Sequence, residues 1–289
     1  MMRAVHRQVR RVGRAVYWRL PPRWRDTVVD LAFSRAGRVF RGFPAYEAWR
    51  QQRLDRAKHA IGVAGRFTEL GDVDPLSTSP GRIAVHAHMY YPELAAEFAD
   101  QLGNMPFPYD LFVSVVDDQG RTTCEAAFAG LRRLDRLTVE IVPNRGRDIA
   151  PMLCAFGGRL RDYDLLAHVH SKKSLYNKGA TDGWRDYLLA SLFGSRDRLR
   201  RIFGLLSADT ALVFPQSFHR VPYFAATWLA NRAAGTAWCH RLGISRIPTS
   251  GYFDFPIGSM FWARMDALRP LFDAGVTLDD FEPEAGQAD

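Results

Sequence analysis

The sequence predicts an α/β fold built on a mostly parallel, doubly wound sheet flanked by helices and preceded by a basic helical segment. Three observations carry this expectation. Short β-rich runs alternate with amphipathic stretches of helical period between residues 83 and 170; the connections between them are short; and the positive charge is concentrated before the pattern begins.

Residues 1–60 hold 15 Lys and Arg, 14 of them Arg, against 4 Asp and Glu. That net +11 exceeds the +8 of the whole chain, so the remainder is slightly acidic. The arginines interleave with Val5, Val9, Val12, Val16, Trp18, Leu20 and Trp24, which suits an amphipathic helix broken at Pro21-Pro22 and resumed afterwards. Such a helix can lie on an anionic bilayer surface. A basic helix packed on the body of the protein is the alternative reading. No nucleic-acid recognition motif accompanies the charge, and Trp with Val fits lipid better than groove readout. Tyr46, Trp49 and Leu54 suggest one more helix over residues 42–58, and the Gly, Asp, Pro, Ser and Thr between Gly71 and Gly81 mark a boundary near residue 80. The expected organisation is therefore a basic segment with linker, 1–79, and an α/β domain, 80–289.

In the domain, Ile83 to Ala87 reads as a strand, Pro92 to Leu102 as a helix, Leu111 to Val116 as a strand and Thr122 to Leu134 as a helix. Leu137 to Pro143 alternates apolar and polar side chains and stops at Asn144-Arg145-Gly146-Arg147-Asp148, a strand entering a turn. Ile149, Met152, Leu153, Phe156 and Leu160 then recur at helical spacing, with Pro151 in the first turn. A further run, Tyr163 to Val169, ends in His170-Ser171-Lys172-Lys173-Ser174. Two clusters on adjacent strand ends would lie at the carboxyl edge of an open sheet, where ligands bind.

Free N–H groups at a helix start, two arginines and two adjacent lysines suit an anionic, phosphate-sized ligand. The plain alternative pairs Arg145 and Arg147 with Asp148 as solvated turn residues and leaves Lys172 and Lys173 as a charged loop. Other strand ends are polar too: His86 and His88, with Tyr90 and Tyr91, follow the first, and Asp117-Asp118 the second. The acidic pair suits a ribose or base contact, and Asp-Asp-Gln-Gly equally suits a turn.

The second half is less regular and richer in the aromatic residues that surround sugars. Trp184 to Leu192 and Asp197 to Leu206 read as helices, Leu212 to Pro215 as a buried strand, and 224–243 as helical. A Gly- and Pro-punctuated loop runs into a strand, Met260 to Ala263, and a helix from Asp266 to Ala274 follows. The chain closes on an acidic block, Asp279, Asp280, Glu282, Glu284 and Asp289.

A chain of 289 residues with 47% apolar composition can bury a sizeable core. Cys124, Cys154 and Cys239 have neither disulfide-framework nor zinc-site spacing, and no apolar run approaches the roughly 20 residues of a spanning helix, so a cytoplasmic setting is expected.

The blocks HxHxYYPELA, YDLFVSV, PNRGRDIAPML, YDLLAHVHSKKS, GWRDYLLASLFGS, GSMFWARMDALRPL and DFEPEAGQAD, in that order, resemble the rhamnan synthesis F family of bacterial surface-polysaccharide glycosyltransferases. The resemblance covers roughly residues 80–289, and the basic, Trp-containing lead-in extends it toward the N-terminus. It implies transfer of a deoxyhexose, typically rhamnose from dTDP-rhamnose, to a growing cell-surface polysaccharide or lipopolysaccharide such as O-antigen. It also implies a GT-A-like plan at the cytoplasmic face of the bacterial inner membrane, with a lipid-linked or growing glycan as acceptor.

On that plan His86, His88, Asp117, Asn144, Arg145, Gly146, Arg147, Asp148, His170, Lys172 and Lys173 contact the nucleotide sugar. Trp184, Gly258, Ser259 and Trp262 contact acceptor or sugar. The HSKKS strand end stands where GT-A enzymes carry a metal-binding Asp-x-Asp; with that motif absent, Lys172, Lys173 and His170 are expected to neutralise the diphosphate without a metal or other cofactor. Inverting transfer needs a carboxylate base. Asp289 stands at the family's position for it, with Glu284, Glu282 and Asp280 as alternatives. Family members continue past this block with a further helix, whereas this chain ends at Asp289, so a clipped gene or a fragment is expected. An inactive nucleotide-sugar or glycan-binding module is the alternative to an enzyme.

Overall fold

The computed structural model describes residues 19–40, 43, 45–47, 49, 68–171, 183–207, 209–218, 221, 225–245, 247 and 253–283. The chain divides into two compact units, one of Arg66–Lys173, Gly183–Ser217 and Pro256–Asp289, the other of Met1–Gly65, Ser174–Asp182 and Phe218–Phe255.

The first unit is built on a six-stranded sheet: β1 (Ile83–His88), β2 (Tyr109–Val115), β3 (Leu134–Ile141), β4 (Leu165–His170), β5 (Leu212–Val213) and β6 (Phe261–Arg264), in the order β3-β2-β1-β4-β6-β5. β1 pairs in parallel with β2 and β4, and β2 with β3. β6 is antiparallel to both β4 and β5, so it alone runs against the rest. The result is the expected mixed α/β, Rossmann-like sheet. Its inner strands are the near-continuous apolar runs that burial on both faces demands, and β1 is buried at every position. β3 has its residues partly or fully exposed, as an edge strand with alternating polarity should.

The helices are Ala95–Leu102, Asp118–Phe128, Gly157–Leu160, Trp184–Phe193, Arg196–Ser207 and Met265–Asp273. Two differ from expectation for local reasons. The helix expected from Thr122 to Leu134 starts at Asp118, because the Asp117 carboxylate accepts the Gly120 N–H (2.7 Å) as an N-cap, and it ends at Phe128, leaving Leu134 to open β3. The helix expected from Ile149 to Leu160 is instead a π-turn, Pro151–Ala155, closed by the Phe156 N–H on the Pro151 carbonyl, followed by one short helical turn.

Met152, Phe156, Leu160, Tyr163, Phe261 and Phe272 form a core cluster with Ala84, Phe112 and Leu166. Phe193 packs tilted and Phe203 edge-on against Trp262, which is fully buried. Arg185 grips Glu97 through two parallel contacts (2.8 and 2.9 Å), joining the Ala95–Leu102 and Trp184–Phe193 helices. The Gly- and Pro-rich stretch before β1 is tied down: Arg201 donates to the carbonyls of Leu70, Gly71 and Val73, and the Leu76 N–H donates to the Arg200 carbonyl (3.0 Å).

The second unit holds a helix, Pro22–Phe40, that begins on the second proline of the Pro21-Pro22 pair; the expected helix before that pair lies largely outside the described residues. Phe33 and Phe40 pack on Tyr46, and the Trp49 indole N–H donates to Asp30. Trp24, Leu31 and Val39 occupy the opposite, exposed side, about half accessible, with Arg35 among them. Another helix here, Arg232–Arg241, packs Gly235 against the Trp228 ring. Residues 1–18, and Leu54 of the expected 42–58 helix, lie outside the described residues.

Candidate functional site at the carboxyl edge of the sheet

The ends of β1, β2 and β4 are fastened together. Met89 N–H donates to the Ser114 carbonyl (2.8 Å), Ser171 N–H to the His88 carbonyl (2.9 Å), and Tyr91 N–H to the Ser171 hydroxyl (2.8 Å). The site therefore rests on rigid strand ends.

Parallel register sets His86 beside His168 and His88 beside His170, while His88 also faces Ser114 of β2. Side chains two residues apart share a strand face, so these groups meet in one row. Asp148 Oδ2 lies 3.0 Å from His168 Nε2, and His168 Nδ1 lies 2.9 Å from His86 Nδ1. His86 Nε2 lies 3.2 Å from Ser114 Oγ, which lies 2.8 Å from His88 Nδ1. The His86 and His168 rings are parallel within 4°, Phe156 lies over His86, and Phe261 over His168. His86, Ser114 and His168 are fully buried; His88 and Asp148 retain 5% and 9% exposure.

Burial works against charge on His86 and His88 and is the largest influence on each, with neighbouring histidines adding to it; His88 is lowered to about 4. Burial alone would raise Asp148, but the positive fields of His170 and His168 and the His168 hydrogen bond outweigh it and hold the carboxyl well below its usual range.

Asp148 reaches this row from a constrained turn. Gly146 and Arg147 both adopt positive φ (67° and 53°), and a Cβ at Gly146 would strike the Ala150 methyl and the Phe281 ring (2.7 Å). Arg145 points the other way. Its Nε–H donates to the Phe281 carbonyl (2.8 Å), its terminal nitrogen approaches Asp279 (3.3 Å), and its backbone pairs with Pro283. The first part of the acidic block, residues 279–283, is thus docked on this turn.

Strand order corrects one expectation. β3 and β4 are not adjacent: β2 and β1 lie between them, and it is the inward reach of Asp148 that joins the two clusters. Among the residues singled out from sequence, His86, His88, Asp148 and His170 converge; His170 Nε2–H donates to the Gly258 carbonyl (2.7 Å), which brings Gly258 and Ser259 to the same edge. Asn144 and Arg147 are exposed on the turn. Asp117 caps its helix, and Asp280 closes a capping box with Thr277, so both carboxylates serve their own turns. Trp262 donates its indole N–H to the Leu192 carbonyl inside the core and offers no face to a sugar; Trp184 is buried against Gly258. Glu282 is exposed; Lys172, Lys173, Glu284 and Asp289 lie outside the described residues. The sequence reading missed His168 and Ser114. The available signal was the repeated His-x-His at the ends of two apolar runs, 86–88 and 168–170.

The family described as rhamnan synthesis protein F matches residues 68–289. The chain belongs to that family. Its curated relatives include the uncharacterized protein WxcX of two Xanthomonas campestris pv. campestris strains, 32% identical over 241 residues, which covers 82% of this chain and 32% of the relative. The chain spans about a third of the length of those relatives. Membership associates this sheet with polysaccharide synthesis. Among the described residues no helix is long and apolar enough to cross a membrane, and no group of three or more His, Cys, Asp or Glu is arranged to hold a metal ion.

Proposed function

We propose that the chain is an inverting, metal-independent glycosyltransferase that moves a deoxyhexose, rhamnose from dTDP-rhamnose, to a lipid-linked or growing bacterial cell-surface glycan. The observation that carries this reading is the meeting of the NRGRD turn, the two His-x-His strand ends and the docked 279–283 segment at the carboxyl edge of a Rossmann-like sheet, in a member of the rhamnan synthesis family. The edge supplies histidines and turn N–H groups for a nucleotide sugar. Lys172 and Lys173, two and three residues past the end of β4 in sequence, neutralise the departing diphosphate. Asp289, Glu284 and Glu282 follow Asp279 in the acidic block and are the carboxylates that position the acceptor's hydroxyls.

Thermal-shift screening of dTDP-, UDP- and GDP-sugars, followed by assay of glycan transfer with and without chelator, tests this. Activity that survives chelator and falls at least about 100-fold in Lys172→Ala/Lys173→Ala supports it, since one preorganised charge contact at a developing anion is worth on the order of 3 kcal/mol. Chelator-abolished activity restored by magnesium or manganese sinks the metal-independent form.

A second reading, a nucleotide-sugar-binding module of a larger assembly, rests on the same polar strand ends acting as a binding edge alone. Binding of dTDP-rhamnose without release of free dTDP would select it. On either reading the exposed Trp24, Leu31 and Val39 stripe, in a segment of net charge +11, rests on the anionic cytoplasmic face of the inner membrane. Binding of the full chain to phosphatidylglycerol vesicles, reversed by about 1 M salt, is the expected result. Absent binding removes the membrane partner.

A further inference from the structure

Hydrogen-bond chemistry allows the buried row only two states of polarity. An ionised Asp148 can only accept, so His168 Nε2 carries a proton. If His168 is neutral, its Nδ1 accepts, and His86 must donate from Nδ1. His86 Nε2 then accepts the single Ser114 hydroxyl proton, Ser114 Oγ accepts from His88 Nδ1–H, and His88 Nε2 is left as an acceptor. One added proton reverses the three bonds between His88, Ser114, His86 and His168, while His168 Nε2–H still donates to Asp148. His168 becomes an imidazolium beside Asp148, and His86 and His88 both become Nε2–H tautomers.

We infer that His88, Ser114, His86, His168 and Asp148 form a proton relay, with His88 Nε2 at the ligand-facing end and the His168–Asp148 pair at the buried end. The relay deepens the glycosyl-transfer reading and rests on it for the identity of the proton donor, an acceptor-sugar hydroxyl. As that oxygen bonds to the anomeric carbon, the bond from carbon to diphosphate breaks and its electron pair leaves with the diphosphate. The hydroxyl proton passes to His88 Nε2, the His88 Nδ1 proton to Ser114, the Ser114 proton to His86 Nε2, and the His86 Nδ1 proton to His168 Nδ1. The positive charge ends 3.0 Å from a carboxylate instead of on His88. Reversal to water after product release restores the chain.

Charge transfer is what makes His88 usable as a base. Alone, its burial disfavours the cation. The groups facing it are Ser114 from β2, His168 and His170 from β4, and Asp148 from the turn; of these, Asp148 is the only anion, and the relay delivers the charge to it. His170 stands outside the row, its Nε2–H committed to the Gly258 carbonyl. His88 is the residue placed to touch substrate; Ser114, His86, His168 and Asp148 are positioning residues.

Nitrogen-15 NMR of the histidine-labelled full chain tests the relay without any assumption about substrate. At pH 8 it predicts Nδ1–H for His86 and His88 and Nε2–H for His168. On acidification the first proton must switch His86 and His88 together to Nε2–H. An Nε2–H tautomer on His88 at pH 8, or His88 titrating alone, overturns it. Ser114→Ala cuts the row while leaving His88 in place, and kcat for transfer from dTDP-rhamnose should fall at least about 100-fold, with donor KM within about threefold. Unchanged kcat overturns the relay. If no nucleotide sugar supports transfer, the glycosyl reading falls, and the tautomer pattern still decides whether the relay exists.

Discussion

Asp148 and Arg145 lie three residues apart in one turn and are held in opposite ways. Asp148 is turned inward to a fully buried histidine at 3.0 Å, whose other ring nitrogen meets His86 of the row. Arg145 is turned outward to a backbone carbonyl and to an Asp279 carboxylate that is 94% exposed. The same backbone thus makes one attachment where loss of a partner strands a buried polar group, and one where water replaces whatever is lost. That difference orders the effects to be expected from substitutions around the site.

The largest belongs to Asp148→Ala. It strips the row of its only anion and leaves His168 Nε2–H without a partner in the core, which costs about 3 kcal/mol of stability. Urea denaturation of the full chain measures it, and a loss under about 1 kcal/mol would place Asp148 with the outward-facing group.

Next is the dependence on pH. The unfolded chain binds protons at His86 and His88 below the ordinary histidine value of about 6.5, whereas the folded chain resists them there, His88 down to about 4. Both groups have folded values below their unfolded ones, so stability is complete above pH 6.5 and is lost as pH falls toward 4. The slope is about 1.4 kcal/mol per unit for each histidine, and about 3 kcal/mol accumulates for His88 alone. Asp148 is ionised in the folded state throughout that window and adds nothing to the slope until the unfolded carboxyl begins to protonate near about 4. His88→Gln should flatten the slope. Stability that does not change between pH 6.5 and 4.5 would mean that the row takes up protons as freely as water-exposed histidine.

Gly146→Ala comes third, because it strains the turn that serves both attachments. The added methyl meets Ala150 and the Phe281 ring at a φ of 67° that alanine tolerates poorly. A loss of about 2 kcal/mol follows. Cleavage near Phe281 under limited proteolysis should rise with it; unchanged cleavage would show that the acidic block docks independently of the turn.

What the sequence revealed tracks the same inward and outward division. Strand and helix alternation, the NRGRD turn and the polar strand ends were legible because each is a local pattern: period, turn residues, the end of an apolar run. The cap at Asp117 was half legible, since Asp-Asp-Gln-Gly serves a turn and a helix start equally and only backbone extension at Asp117 distinguishes them. The row itself was hidden. Ser114 sits inside an apolar run with nothing local to mark it, His168 is marked only by the repeat of His-x-His, and the meaning of both arises from strand order, which sets β4 beside β1 and β1 beside β2. Trp262 failed for the converse reason: an aromatic residue near a glycine-rich loop suggests a sugar platform, but strand alternation turned it into the core under Phe193 and Phe203.

The smallest effect tests the outward half of the comparison. Asp279→Ala removes a carboxylate that approaches Arg145 at 3.3 Å from open solvent, where water screens the pair and two flexible side chains must be ordered to form it. Stability should change by less than about 0.5 kcal/mol, and less still at high salt. The Arg145 Nε–H retains the Phe281 carbonyl in this variant, so the docked segment stays in place and donor binding is unchanged. A larger, salt-sensitive loss, measured by urea denaturation at about 0.05 and 1 M salt, would mean that the acidic block is held by charge and not by the backbone contacts of Phe281 and Pro283.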